Sequence, residues 1–162
     1  MQGNTNIVGG ITASLAFAQF SNDNPLVLVG AGVIGALLPD ICHRGSKIGR
    51  TFPILAKLVN TVFGHRSFTH SLLFLLFVMV ALHTLVPYKA ISIGIIIGMA
   101  SHILLDMCTK KGVKLFFPAT VSIRFPLTTK TGSKVEGIVL MLLSMLSIYL
   151  SYELIVEFID SI

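Results

Sequence analysis

Two apolar runs, Leu72 to Tyr88 and Ala90 to Met107, meet at the turn Pro87-Tyr88-Lys89. At 17 and 18 residues, each is close to the roughly 20 that an α-helix needs to cross a bilayer. In hydrocarbon the backbone polar groups must be satisfied within the segment itself, so such runs fold as helices. A short turn between them makes an antiparallel hairpin. That hairpin returns His102 and Asp106, at the end of the second run, to the membrane face from which the first departs at His70.

Three further apolar segments accompany the hairpin. Ile7 to Phe20 and Leu26 to Leu38 are rich in Gly and Ala, which lets helices approach closely, and the polar turn Ser21-Asn22-Asp23-Asn24-Pro25 separates them. Each has only 13–14 residues, so tilting, partial insertion or polar flanks within the bilayer are expected. Glu136 opens the last, Gly137 to Ile159, whose 23 residues can span with tilt. From Pro53 the spacing is amphipathic, as in an interfacial helix or a loop helix packed on the bundle, and Gly64 ends it. Thr109 to Val135 is irregular, its cations interleaved with Phe-Phe-Pro and Phe-Pro, which suits either surface anchoring or a loop lying over a site.

With 54% hydrophobic residues among 162, the chain exceeds the apolar share of about 45–50% in soluble domains. The expected fold is therefore a single all-α domain, a polytopic membrane helical bundle of about five hydrophobic segments with interfacial loops and helices. Of twelve Lys and Arg, five lie between Arg44 and Arg66 and six between Lys110 and Lys134, with Lys89 apart. Cytoplasmic loops carry such excess, so both basic loops are expected inside, with the N-terminus inside and residue 162 outside. The first residues show no basic region or cleavage site of a signal peptide. These cations flank apolar segments, so anionic lipid headgroups rather than nucleic acid are the expected partners. Cys42 and Cys108 fall on the side where thiols stay reduced, and no disulfide is expected.

The polar residues that stand out cluster at helix ends: Pro39-Asp40-Ile41-Cys42-His43, His65-Arg66-Ser67-Phe68-Thr69-His70 and Ser101-His102-Ile103-Leu104-Leu105-Asp106. Ionisable groups at a membrane edge pair, bind metal or line a wet cavity. His102 and Asp106, four apart, share a helix face. Together Asp40, His65, His70, His102 and Asp106 form an N/O donor set suited to zinc, with manganese or iron as alternatives and calcium disfavoured by the imidazoles. More than four donors also permit two metals sharing a carboxylate. The competing explanation for each is a helix cap, a headgroup contact or an ion pair with Arg66. His83, alone in mid-span, is expected to be packed or hydrogen-bonded rather than a ligand.

Leu37-Leu38-Pro39-Asp40, His65 to Ser71 and Ser101 to Asp106, continued by Thr109-Lys110-Lys111-Gly112-Val113, resemble the three motifs of the YdjM-like family. Its members are described as inner-membrane, metal-dependent hydrolases, under LexA control in some bacteria. The resemblance covers essentially the whole chain and implies a multi-pass protein of the bacterial inner membrane whose site faces the cytoplasm. Two departures stand out. A Thr-His pair common in the family is Thr5-Asn6 here, and a second acid after Pro-Asp-x is Cys42, a candidate thiolate ligand or a small buried hydrophobe. More distantly, the ligand pattern resembles the all-helical zinc phospholipase C and single-strand nuclease group, which implies hydrolysis of a phosphoester or lipid-type substrate. There Arg66 would bind a phosphate oxygen or merely a headgroup, and Glu136 or a metal-bound Asp would act as general base. The alternative expectation is a non-catalytic metal-binding membrane protein, a transporter or assembly factor; a third is a lipid-binding protein without metal. Oligomeric state, substrate identity and any part for His43 stay open.

Overall fold

The computed structural model describes residues 1–64 and 66–160. The fold is all-α, a bundle of the membrane type. Its helices are α1 (Gly3–Ala18), α2 (Pro25–Leu37), α3 (Lys47–Thr51), α4 (Pro53–Phe63), α5 (Leu72–Leu85), α6 (Lys89–Met107) and α7 (Lys134–Asp160). Two 3-10 turns, Leu38–Cys42 and Phe68–His70, carry candidate site residues. Extended pairing among the described residues is limited to two isolated bridges, Thr109 with Thr129 and Val113 with Ile123.

The centre is a tight sandwich of α1, α2 and α6, and its tightness comes from missing side chains. A Cβ at Gly98 would stand 2.0 Å from the Gly32 carbonyl oxygen, and one at Gly35 would stand 2.1 Å from that of Ile95. Backbone therefore meets backbone where α2 crosses α6, the small-residue packing that replaces hydrophobic driving force within a bilayer. Ala31, Ile95 and Met99 fill the space beside the crossing, with Phe74, Leu75 and Val78 of α5 packed on them. α7 closes over α1 through polar contacts: Thr12 Oγ1 lies 2.7 Å from Ser147 Oγ, and Gln19 Nε2 donates to the Leu150 carbonyl at 3.0 Å.

Among the described residues, three helices are long and apolar enough to cross a membrane: α2 with its 3-10 extension (Pro25–Cys42), α6 (Lys89–Met107) and Lys134–Val156 of α7. At 1.5 Å per residue, the 16 residues of α1 and 14 of α5 run only about 24 and 21 Å, short of the roughly 30 Å hydrocarbon core. The run expected to span from Leu72 to Tyr88 is thus cut at Leu85. Pro87 is the cause: the residue before a proline is driven out of the helical region, and Val86 has φ −113° and ψ 105°. His83 is exposed on α5, not packed as expected. On α4 only Ala56 is buried, while Ile54, Leu55, Leu58 and Val62 point outward. Gly64 ends α4 at φ 75°.

Candidate metal centre

The site is built where the central sandwich ends. α2 runs to Leu37 and tightens into a 3-10 turn that leaves Asp40 on its rim, 15% exposed at the side chain. One helical turn beyond Gly98, α6 presents His102 at the place where α2 is closest. Its Nδ1–H donates to the Ala36 carbonyl at 2.6 Å. A ring nitrogen fixed in this way leaves the other as an acceptor and sets the ring's direction, so the glycine crossing itself aims His102 Nε2 at Asp40. Asp106 follows one turn later on the same face, 1% exposed.

His70 comes from the second 3-10 turn. Arg66, at φ 59°, turns the chain sharply; the Lys114 N–H donates to its carbonyl and the Leu72 N–H to that of Leu115. Ser71 caps α5 by accepting from the Phe74 N–H at 3.2 Å. Phe68 stacks on Phe63 at 4.5 Å between ring centroids and meets Phe74 and Phe117 edge-on. These anchors hold His70 fully buried, with Thr69 Oγ1 3.1 Å from its Nδ1.

The donors converge. Asp40 Oδ1 lies 3.8 Å from His70 Nε2 and 3.9 Å from His102 Nε2; Asp106 Oδ2 lies 3.5 and 3.9 Å from the same two nitrogens. Ligands held about 2.0–2.1 Å from a tetrahedral zinc stand roughly 3.3 Å from one another. The spacing is slightly wider than that and fits a first-row divalent ion. Asn6, buried beside them, donates its amide N–H to His102 Nε2 at 3.4 Å, while its Oδ1 has no hydrogen bond among the described residues. The Asp40, His70 and His102 donors, with an orphaned amide oxygen alongside, could hold a cation. Asp40, His70 and His102 come together as a group that could hold a metal ion, while Asp106, expected with them, lies beside both imidazoles with its oxygens on Arg66 and the Met1 amine. His65 lies outside the described residues.

Arg66 holds the second position. Its Nη2 lies 3.0 Å from Asp106 Oδ2 and its Nη1 donates to Thr109 Oγ1 at 2.9 Å. Thr109 in turn donates to the Asp106 carbonyl at 2.7 Å. The Met1 amine contacts the other oxygen, Asp106 Oδ1. Glu136, the other residue expected in catalysis, is 2% exposed. Its carboxylate accepts from the Gln2 N–H at 2.5 Å, Thr5 Oγ1 at 3.0 Å and the Gly132 N–H at 2.6 Å. It thus ties residues 2–5 to the start of α7, and reaches Asp106 only through the segment that Met1 begins. Cys42 is fully buried, its thiol 3.5 Å from the Pro39 carbonyl. His43 is exposed on the wall of a cavity of about 840 Å³ that Asp40 and Arg66 also line.

Sequence reasoning left the part of Asn6 open and missed Thr109 and the Ala36 carbonyl. The signal for the second was present in Gly94-x-x-x-Gly98, a small-residue pair one turn before His102. Ser133-Lys-Val-Glu136 signals an N-terminal box that holds Glu136 against backbone amides, and Ser133 Oγ does accept from the Glu136 N–H at 3.3 Å.

A model of the YdjM inner membrane protein family matches residues 1–158. The chain belongs to that family. It is 51% identical to the Bacillus subtilis (strain 168) protein YvsG over 95% of this chain and 96% of that one. Inner membrane protein YdjM of Escherichia coli (strain K12) is 32% identical over 90% of this chain and 83% of its own length. The YdjM protein of Shigella flexneri matches to the same extent. No solved structure matches. The YdjM relatives are named for the inner membrane, and the apolar helices here are those of a membrane protein.

Proposed function

We propose that the chain is a multi-pass inner-membrane hydrolase that uses a divalent metal, zinc before manganese or iron, on a phosphoester or lipid-type substrate at the cytoplasmic face. The observation that carries it is the meeting of two aspartates and two histidines from three separate segments beside a cavity whose wall is cationic. Asp40, His70, His102 and Asp106 would hold the ion. When bound, it supplies Lewis acidity and a water ionised near neutral pH.

The chain's own residues do the rest. His102 is oriented by Ala36, and Arg66 is oriented by Asp106 and Thr109, so its guanidinium is set to receive a phosphate oxygen without reorganising. Asp40, the acid on the cavity wall, is placed to take a proton from the attacking water. Glu136, whose acceptors are already engaged, positions residues 2–5 around the donors. The cations at residues 44–66 and 110–134 support the cytoplasmic side.

Elemental analysis of the purified protein tests the site. His70→Ala and Asp106→Ala should each lose most of the metal that the parent retains, and undiminished content in both would defeat the assignment. Release of phosphate from lipid phosphoesters in detergent or liposomes then separates an enzyme from the alternative, a metal-binding transporter or assembly factor.

A further inference from the structure

Six cations from four separate parts of the chain line the cavity: Lys47 and Arg50 of α3, Arg66 before α5, Lys110 and Lys111 after α6, and Lys130 before α7. Among the described residues, the only carboxylate on the same wall is Asp40. Arg66 is paired with Asp106, but among the described residues none of the other five has a carboxylate within ion-pair distance. Like charges gathered on one concave surface repel one another, and low-dielectric walls focus their field on whatever enters. A cluster left uncompensated by the protein is compensated by its ligand.

The size of the charge bears on what that ligand is. A single phosphate, with a charge of about −2 at neutral pH, is matched by Arg66 and a bound metal alone. Five further cations and a volume of about 840 Å³, in the range of pockets for drug-sized ligands at roughly 300–1,000 Å³, exceed that need. Retention of the protein on an anionic leaflet does not require this arrangement either. Arg44, Lys57, Lys114, Arg124 and Lys134 serve that purpose from outside the cavity.

Resting on the hydrolase reading above, we propose that the cavity binds a diphosphate, its terminal phosphoryl group beside Asp40 and Arg66 and its inner phosphate held by Lys47, Lys110 and Lys130. Hydrolysis then adds water to the terminal phosphorus and breaks its bond to the bridging oxygen. It releases orthophosphate and leaves a monophosphate on the carrier, or a second orthophosphate where the diphosphate is free, and the proton taken from water ends on the products. The diphosphate is carried on a lipid or is free in solution, and the two sources are separable by experiment.

Calorimetric titration of the full chain in detergent, with inorganic pyrophosphate and then with orthophosphate, reads the preference without turnover. The parent should bind pyrophosphate about tenfold tighter or better, and Lys110→Gln with Lys130→Gln should bring the two within about threefold while leaving metal content intact. Arg44→Gln with Lys57→Gln, outside the cavity, should keep the parent's preference. Equal affinities in the metal-replete parent, or the same loss in both double variants, overturn the proposal and leave the hydrolase reading standing. A retained pyrophosphate preference with no phosphate release from any substrate overturns the hydrolase reading instead. Phosphatidylcholine vesicles carrying a prenyl diphosphate, compared with free pyrophosphate, identify the source: turnover of the first alone assigns the lipid, and of the second alone the soluble anion.

Discussion

Arg66 joins the two halves of the site: a backbone in the left-handed region and a side chain forked between Asp106 and Thr109. Removing the guanidinium leaves Asp106, 1% exposed, with only the Met1 amine as a cationic partner, and breaking one buried pair of this kind costs up to roughly 3 kcal/mol. Arg66→Ala should therefore lower the thermal midpoint in detergent as well as turnover. Arg66→Gly loses the same contacts but relieves the positive φ, a difference of about 1 kcal/mol in its favour over alanine, measurable by comparing the two melts. Asn6 offers a change in the other direction. Its amide lies against His102 Nε2, so Asn6→His should add an imidazole donor at the cluster and slow metal loss to a chelator, read as the half-time of metal release. At this scale the sequence was informative where local periodicity decides: His102 and Asp106, four apart, do present adjacent donors. It was silent on Ala36, Thr109 and the long-range bonding of Glu136, because those contacts join residues up to 134 positions apart and depend on how helices cross.

Five apolar helices were legible as elements because each is a continuous run, and their order and approximate bounds follow from it. The length of α5 was misjudged by letting composition outrun Pro87, whose backbone effect ends the helix at Leu85. The choice of neighbours was less legible, since small residues permit contact without naming a partner. The structure pairs the glycines of α2 with those of α6, and this crossing governs the site. Gly98→Ala should push the two helices apart, at a cost of about 1–3 kcal/mol for overpacking, and should reduce metal content although residue 98 touches no donor. Gly30→Ala, on the same α2 but with nothing within 4 Å of the added carbon, should retain both metal and stability. Equal metal loss in both variants would remove the crossing from the account.

For the molecule as a whole, the asymmetric charge predicts an orientation. A cysteine introduced at Lys89, in the α5–α6 turn, should react with an impermeant maleimide from outside the cell, and one introduced at Lys111, beside the cavity, only after the membrane is opened. Native Cys108 reports on the same side more slowly, because burial pushes its thiol above the ordinary range and so lowers the thiolate fraction at any given pH. Its labelling rate should keep rising through the mildly alkaline range, and rise no further once the thiol is ionised.

The Ala36–His102 contact joins positions 66 apart along the chain, with α3, α4 and α5 made between them. During synthesis, α2 therefore enters the bilayer with only α1 to pack against, and the Asp40, His70 and His102 donors cannot meet until α6 has been made. A nascent chain stalled before position 102 would carry Asp40 and His70 without the ring that completes their cluster.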